Sequence, residues 1–210
     1  MIKLLVIIYN KEKRLKLIFR KYNLNYQIMA NAMGTANNKI LKYLGLNSIK
    51  KNIYYAIIPS NIENYLFNDL KLWCNIEKKG NGIAFIVPIS SSSKFVGEIG
   101  ESGENNKMFK KEYELIVTIV SEGFSDYVMH AAHLAGCNGG TVIKGRSVGS
   151  HGTIFMDISI EPEKEMVLNI VPKKIKKEVM ESITKYCGVK TDARGVLISL
   201  PIDNVIGLEK

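Results

Sequence analysis

The chain has 210 residues, with 29 lysines and arginines against 20 aspartates and glutamates, so its formal net charge is +9. Apolar residues make up 46% of the sequence and charged residues 23%. These proportions exclude a disordered, fibrous or collagen-like chain, because enough apolar surface is present to offset the entropy lost on ordering. The length allows one large domain or two small ones, and the positive charge is a feature of many nucleic-acid-binding proteins.

The first element along the chain is the apolar run Ile2–Tyr9. At about eight residues it is far shorter than the roughly 20 needed to span a bilayer, and charged residues follow it in place of a small-residue cleavage site. The run therefore predicts a buried strand, and no insertion into a membrane is expected. Three cysteines without Cys-x-x-Cys spacing favour free thiols in a reducing cytoplasm: Cys74, Cys137 and Cys187.

The rest of the first half alternates short apolar or β-branched runs with segments whose apolar residues recur every three or four positions. The predicted elements that follow the first strand are helix Lys11–Tyr22, strand Asn25–Ala32, strand Asn52–Pro59, helix Asn61–Trp73 and strand Gly82–Ile89. Between the second and third strands, the segment Ala32–Gly45 is predicted to be helix-like.

A polar segment, Ser90–Lys111, separates the two halves. It keeps no helical or strand period and predicts a linker, so the expected domains are residues 1–90 and 112–210, with 91–111 between them. The second half predicts strand Glu114–Val120, helix Ser125–Ala135, strand Gly140–Arg146, strand Glu165–Val171, helix Lys173–Tyr186 and strand Gly195–Leu200. One face of the first of these helices is predicted to hold Phe124, Tyr127, Val128, Ala131, Leu134 and Ala135.

The two halves repeat each other at a constant offset of 113 positions. That offset superposes Lys51–Pro59 on Lys164–Pro172, two runs that share their apolar positions and their final proline. It also pairs Trp73 with Tyr186, Cys74 with Cys187, Gly82 with Gly195, and Pro88 with Pro201. A single offset kept over nearly 40 residues indicates duplication of one small domain.

The order of elements in each half, βαββαβ, is that of the ferredoxin-like fold. We therefore predict an α+β protein with two tandem ferredoxin-like domains, each an antiparallel sheet with its helices on one face. The other face of each sheet must then bury against something, so association is expected, either between the halves or between chains.

Two loops combine glycines with basic side chains, as phosphate sites do. The first loop is Gly136–Gly149, in which Lys144, Arg146 and Ser147 add charge and donors. The second loop is Gly188–Gly195, between the last helix and the last strand. An alternative for the second is a purely structural role, a helix C-cap and tight turn in which Gly188 supplies a positive φ.

The second half, from about Glu114 to Leu208, resembles the PII-type nitrogen regulatory proteins. The similar stretches are Gly140-Thr141-Val142 followed by Lys144-Gly145-Arg146, the step Val171-Pro172-Lys173 into a Lys-rich helix, the basic loop before the last strand, and the ending Ile202–Ile206. The resemblance implies βαββαβ subunits that form trimers and bind ATP or ADP in clefts between neighbouring subunits. The nucleotide-binding residues it implies are Gly145, Arg146, Ser147, Lys190, Thr191, Asp192, Arg194 and Gly195.

On this interpretation the chain is a cytoplasmic, divergent tandem member of that family, without a protein-bound cofactor. An anionic ligand would order the segment Ser147–Glu163, which would then engage or release a target protein. The family's loop usually reads Gly-Lys-x-Gly-Asp-Gly-Lys, whereas Gly188–Gly195 reads Gly-Val-Lys-Thr-Asp-Ala-Arg-Gly and lacks two of those glycines. An alternative is therefore a structural or interaction module of the same fold that has lost nucleotide binding.

Other classes of function are less favoured by the residues. The sequence contains no Gly-x-Ser-x-Gly elbow, Walker-type loop or paired-carboxylate motif, so we predict that it is not an enzyme, although fold alone does not exclude one. His130, His133, Cys137 and His151 are considered as a soft-metal site, but solvent-facing or interface roles are favoured and no metal is predicted. The run Lys173–Lys177 is predicted to be a solvated helix face, and the lack of interleaved aromatics disfavours nucleic acid.

Overall fold

The computed structural model describes residues 2–24, 27–35, 48–89, 112–147, 153–155, 158–160 and 162–208. The chain divides into two compact units, each made of segments from both halves of the sequence. The first unit contains Met1–Asn31, Lys50–Tyr113 and Pro201–Lys210, and the second contains Ala32–Ile49 and Glu114–Leu200.

The first half has the predicted order of elements. They are β1 (Ile2–Tyr9), α1 (Glu12–Lys21), β2 (Gln27–Thr35), β3 (Ser48–Pro59), α2 (Glu63–Cys74) and β4 (Gly82–Pro88). β1 lies between β3 and β4 and is antiparallel to both, with Leu5 opposite Ala56 on one side and Ile86 on the other. This is the strand arrangement of a ferredoxin-like sheet.

One face of the first unit's sheet is covered by its two helices. Alternate residues of β1 (Leu5, Ile7 and Tyr9) pack against the buried face of α1 (Leu15, Ile18 and Phe19) and against α2 residues such as Leu66 and Leu70. On the other face, Val6 and Ile8 of β1, Ile53 of β3 and Phe85 of β4 are also buried within the chain. Both faces of this sheet are therefore removed from water at its centre.

The second half repeats the arrangement. Its elements are β5 (Tyr113–Ser121), α3 (Ser125–Leu134), β6 (Thr141–Arg146), β7 (Thr153–Phe155), β8 (Ile158–Ile160), β9 (Glu163–Pro172), α4 (Lys176–Cys187) and β10 (Val196–Ile202). The main strands lie in the order β10-β5-β9-β6, and β7 and β8 form a separate antiparallel pair. The core between this sheet and its helices includes Ile116, Val128, Val167, Val179 and Ile183.

The fold prediction is confirmed, since each half is a βαββαβ unit of an α+β protein with an antiparallel sheet. The repeat is kept in the element boundaries, because α2 and α4 begin and end at positions 113 residues apart. Pro59 and Pro172 each end a strand, and a short 3-10 turn then precedes each helix. Cys74 and Cys187 close the two helices, both fully buried and both free thiols as predicted.

Two segments pair with strands that are distant in the sequence. In the second unit, the end of β2 pairs with β6, with Met33 opposite Val142 and Gly34 opposite Thr141. In the first unit, a short C-terminal strand, β11 (Asn204–Ile206), pairs antiparallel with β4, so that Val205 lies opposite Phe85. The sequence predicted neither pairing, and both place residues outside the unit expected from the split at residues 91–111.

Several finer predictions need correction or fall outside the described residues. Tyr127 and Leu134 are exposed rather than core-facing, because the buried face of α3 turns to Val128, Met129, Ala131 and Ala132. Cys137, for which a solvent-facing or interface role was favoured, is buried in the core. The linker 91–111, His151 and residues 36–45 of the predicted helix-like segment lie outside the described residues. No helix in the described part of the chain is long and apolar enough to cross a membrane.

Candidate functional site

The loop Gly188–Gly195 is held by two successive turns of its own backbone. The N–H of Thr191 donates to the carbonyl of Gly188 at 3.0 Å, and the N–H of Arg194 donates to the carbonyl of Thr191 at 3.0 Å. At the ends, the N–H groups of Gly188 and Gly195 donate to carbonyls of Thr184 and Cys187. Four of the loop's N–H groups are therefore already used within the protein, so an anion would be held here mainly by side chains.

Three positions in this loop have strict backbone requirements. A Cβ built on Gly195 would lie 2.0 Å from the carbonyl oxygen of Cys187, and one on Gly188 would lie 2.4 Å from that of Thr184, so only glycine fits at either place. Arg194 has a φ of 48°, a left-handed conformation that non-glycine residues seldom adopt. Gly188, considered for a positive φ, has a φ of −68°, so that interpretation of the glycine was wrong.

The loop is anchored to the sheet through Ala193. This residue is fully buried, and its carbonyl accepts a hydrogen bond from the N–H of Ser121 at the end of β5, at 3.0 Å. The side chains of Lys190, Asp192 and Arg194 are left exposed around the anchor. On this fixed backbone the two exposed cations, Lys190 and Arg194, attract an anion from solvent, while the carboxylate of Asp192 opposes it.

The second predicted group lies at the end of β6. Arg146 is opposite Glu163 in the β6–β9 pair, and the N–H of Ser147 donates to the carbonyl of Pro162 at 2.8 Å. Gly145 and Arg146 are exposed, and a Cβ on Gly145 would meet no atom within 4 Å. Packing therefore does not require glycine at position 145, and the side chain of Arg146 is accessible.

The two groups share one edge of the second unit's sheet. Backbone hydrogen bonds join the strand ends along that edge. The N–H of Ser121 donates to the carbonyl of Ala193, and the N–H of Glu122 donates to that of Glu163, which pairs with Arg146. The strand order places β6 three strands from β10, a separation of about 14 Å at the usual spacing. The structure thus brings Arg146 and the loop to the same edge, on strands that are not neighbours.

Glu165 is a residue at this edge that the sequence analysis missed. Its buried carboxylate accepts hydrogen bonds from the N–H groups of Gly123 at 3.1 Å and Ser125 at 2.9 Å, at the beginning of α3. An acidic residue at that point is favoured by the helix dipole. Glu165 therefore fills the place where a helix N-terminus would otherwise attract an anion. Its signal in the sequence is a carboxylate among the apolar positions of β9.

The neighbouring Lys144 is also less available than its sequence suggested. Its ammonium lies 3.5 Å from a carboxylate oxygen of Glu122 and 3.9 Å from one of Glu165. These two acidic groups compensate its charge, so Lys144 adds little attraction for a ligand. The exposed cations that remain at this edge are Arg146, Lys190 and Arg194.

The histidines and Cys137, at which the sequence predicts no metal site, have other interactions in the structure. His133 Nδ1 lies 2.5 Å from the carbonyl oxygen of Cys137, and the Cys137 thiol donates to the carbonyl of Gly139 at 3.3 Å. Burial raises the pKa of the Cys137 thiol, which disfavours the thiolate that metals bind. Among the described residues, no group of three or more His, Cys, Asp or Glu side chains is placed to hold a metal ion.

No protein-family model and no curated protein matches the sequence. Among solved structures, the Arabidopsis thaliana PII protein bound to citrate is 20% identical, with 44% of this chain and 76% of that one covered and a TM-score of 0.33. The B. subtilis GlnK–ATP complex is 9% identical, with 44% and 85% covered and a TM-score of 0.34. A Galdieria sulphuraria protein described as unknown is 10% identical, with 95% and 97% covered and a TM-score of 0.32. At TM-scores this low, the fold assignment rests on the strand order of the chain itself.

Proposed function

We propose that this protein is a ligand-responsive regulator, similar to the PII-type signalling proteins, that binds an adenine nucleotide or a related anion and acts on a target protein. The observation that carries the proposal is the set of three exposed cations at one sheet edge of the second unit: Arg146, Lys190 and Arg194. Cations gathered at one edge attract a multiply charged phosphate ligand more strongly than scattered ones do. The proposal assigns the protein no catalytic step.

The mode of binding follows from how the loop's backbone is used. Because the N–H groups of Gly188, Thr191, Arg194 and Gly195 are engaged internally, and the Thr191 hydroxyl donates to the carbonyl of Gly188, the phosphates would contact the side chains of Lys190 and Arg194. Guanidinium groups suit this role, since they pair with two phosphate oxygens at once. We expect affinity to depend on these side chains more than on the glycines.

The response to ligand would involve the segment that follows Arg146. This segment, Ser147–Glu163, leaves the edge at Ser147 and returns at Glu163, and it contains the paired strands β7 and β8. A phosphate held at Arg146 would favour one arrangement of the segment over others, in proportion to the difference in its affinity for them. We propose that the target protein binds this segment, in the cytoplasm and in the context of nitrogen regulation.

The distance along the edge bears on assembly. The strand that ends at Arg146 and the strand that follows the loop are about 14 Å apart across the sheet, which is wider than one phosphate group. A ligand that uses both groups would lie between two copies, which agrees with the homotrimer that the resemblance implies. Light scattering tests the assembly, since a monomer of 23.6 kDa would contradict it.

The decisive experiment is a calorimetric titration of the full chain with ATP, ADP and cyclic nucleotides. We expect binding that Arg194→Ala and Arg146→Ala each weaken about tenfold, the effect of losing one charge-assisted hydrogen bond. Lys177→Ala is the matched control, because Lys177 is an exposed cation of the same unit away from this edge. If no nucleotide binds, or if the control loses as much affinity as the two arginine variants, the proposed site is wrong.

A second candidate, an interaction module without a ligand, is favoured by one observation. Lys144 is compensated by Glu122 and Glu165, and the helix N-terminus beside it is occupied by Glu165. Such an edge is stable without any anion. The same titration separates the candidates, because a module that has lost nucleotide binding would still assemble while giving no heat with any nucleotide.

A further inference from the structure

A cavity of about 370 Å³ lies in the first unit, whereas the proposed nucleotide edge belongs to the second. It is lined by residues from the second half of α1 and from the chain that leads to β2: Lys16, Phe19, Arg20, Asn23, Leu24 and Gln27. Cavities of this size are in the range that holds small organic ligands. The function proposed above does not use this cavity.

The charge at the cavity is positive and only partly compensated. Lys16 and Arg20 are four residues apart on α1, so they lie on the same helix face, where like charges destabilise one another. Lys16 pairs with Glu12 at 2.6 Å, whereas Arg20 forms no ion pair with any described residue. An anion between the two cations would relieve their repulsion.

At the end of α1, backbone N–H groups engage carbonyl oxygens that would otherwise repel an anion. The N–H of Leu24 donates to the carbonyl of Phe19 at 3.0 Å, and the N–H of Asn23 donates to that of Arg20 at 3.1 Å. With Asn23 at a φ of 49°, these bonds form a Schellman closure, which satisfies carbonyls that would otherwise face the cavity.

The remaining wall supplies neutral donors and apolar surface. Gln27 Nε2 donates to the carbonyl of Leu24 at 3.2 Å, which holds the amide beside the cavity and leaves its second N–H available. Phe19 and Leu24 are largely buried in the core of the unit, so their edges form a fixed apolar floor. Two cations, two amides and an apolar floor fit an anion with several oxygens and a non-polar body better than they fit a free ion.

We propose that this cavity binds a small organic phosphate ester, with its phosphate between Lys16 and Arg20 and its apolar part against Phe19 and Leu24. Asn23 and Gln27 then donate to the remaining phosphate oxygens. Phosphate is favoured over carboxylate because a phosphate monoester carries nearly two negative charges at neutral pH, which match the two cations.

The test is an NMR titration of the full chain with phenyl phosphate, following the side-chain amides of Asn23 and Gln27. We expect saturable shifts of both amides, with inorganic phosphate and benzoate binding more weakly. Arg20→Gln and Lys16→Gln should each weaken phenyl phosphate about tenfold. Lys13→Gln is the matched control, since Lys13 is an exposed cation of α1 outside the cavity, and it should change the affinity less than about twofold.

Three results would overturn the inference. The first is the absence of saturable shifts at Asn23 and Gln27. The second is equal weakening by the Lys13, Lys16 and Arg20 variants, which would mean a general attraction to a basic helix. The third is inorganic phosphate binding as tightly as phenyl phosphate, which would show that the apolar floor does not contribute to binding. Shifts confined to Lys190–Gly195 would support the nucleotide edge and reject the cavity, so the two proposals fail separately.

Discussion

The loops that precede the last strand of each half share one pair of backbone turns and differ in their other φ angles and in their surroundings. In the first unit, the N–H of Lys78 donates to the carbonyl of Asn75, and that of Asn81 to the carbonyl of Lys78, each at 3.0 Å. In the second unit, Thr191 donates to Gly188 and Arg194 to Thr191, also at 3.0 Å. The positions correspond at the offset of 113 residues, so the pair of turns is part of the repeated unit.

The charges around the two loops are used differently. In the first unit, Lys51 donates to the carbonyl of Gly80 at 2.8 Å, and Lys71 pairs with Glu77 at 2.9 Å. In the second unit, Lys190 and Arg194 are exposed and make no ion pair with any described residue. The pair of turns is thus retained by the repeat. Two lysines beside the first loop are engaged, whereas Lys78 within it is exposed, as Lys190 and Arg194 are in the second loop.

A second difference concerns the ion pair between the first strand and the second helix of each unit. In the first unit, Lys3 of β1 lies 2.9 Å from Glu63 of α2 and 3.1 Å from Asp203. In the second unit the signs are exchanged, with Glu114 of β5 at 3.5 Å from Lys176 of α4. The first arrangement is more buried, and its acidic partner at the helix start is favoured by the helix dipole.

The largest effect is expected from breaking the buried cluster of the first unit. Lys3→Met leaves the carboxylates of Glu63 and Asp203 without their cation and should cost about 3 kcal/mol in the free energy of unfolding. Lys176→Met should cost less, about 1 kcal/mol, since that pair is longer and Lys176 is partly exposed, although Glu114 is buried. Hydrogen exchange measured separately for amides of β1 and β5 tests this. Equal losses in the two units would show that the exchange of signs has no energetic consequence.

A smaller effect is expected from the contacts between the helices of each unit, whose contributions to stability should differ in their dependence on pH. Asp69 of α2 accepts hydrogen bonds from Lys21 at 2.6 Å and from Tyr22 at 2.7 Å, whereas its counterpart Ser182 donates to the carbonyl of Ala131 at 2.7 Å. Burial alone would raise the pKa of Asp69, but its bonds to Lys21 and Tyr22 hold that pKa below its usual 3.8.

Because the pKa of Asp69 is lower in the folded state, its stabilisation is present above pH 3.8 and is lost as the pH falls through the folded value. Asp69→Asn should therefore cost about 1.5 kcal/mol at neutral pH and progressively less in acid. Ser182→Ala, the control in the second unit, should have a cost that does not change with pH. Urea unfolding from neutral pH into the acid range is the measurement, and parallel curves for the two variants would contradict the assignment.

The smallest effect is expected in the loop Gly188–Gly195, where the cost of backbone strain can be measured apart from the role of the charges. Arg194→Gly should raise the free energy of unfolding by about 0.5 kcal/mol, because glycine relieves the left-handed backbone while adding some freedom to the unfolded chain. Lys190→Gly, at an ordinary φ in the same loop, should lower it. Both variants should weaken nucleotide binding. Calorimetry and thermal unfolding of the same samples test the pair, and destabilisation by Arg194→Gly would show that the loop carries no strain.

The local patterns of the sequence predicted the elements well, since helix and strand periods depend on short stretches of chain. All the strands and helices expected in the described residues are present within a few residues of their predicted ends. The errors concern which side chains face inward. Tyr127 and Leu134 fit the apolar period of α3, but both side chains are exposed. Periodicity defines a stripe only to within about one position, and packing against the sheet selects the residues that are buried.

The candidate site was predicted less completely. The sequence indicated the basic residues Arg146, Lys190 and Arg194, because glycine and charge together are a local pattern. It did not indicate that backbone hydrogen bonds occupy four of the loop's N–H groups, nor that Glu165 fills the beginning of α3. Both features depend on hydrogen-bond partners that only folding brings within reach.

The sequence by itself determined the duplicated βαββαβ unit, because apolar period, proline positions and glycine positions recur at one offset. Only the tertiary structure decided which strands meet. The residues of β11 pair with β4, more than a hundred positions earlier, and the end of β2 pairs with β6 of the other half. The physical reason is that a strand edge offers the same N–H and C=O groups to any partner, so its choice depends on the packed surroundings rather than on its own residues.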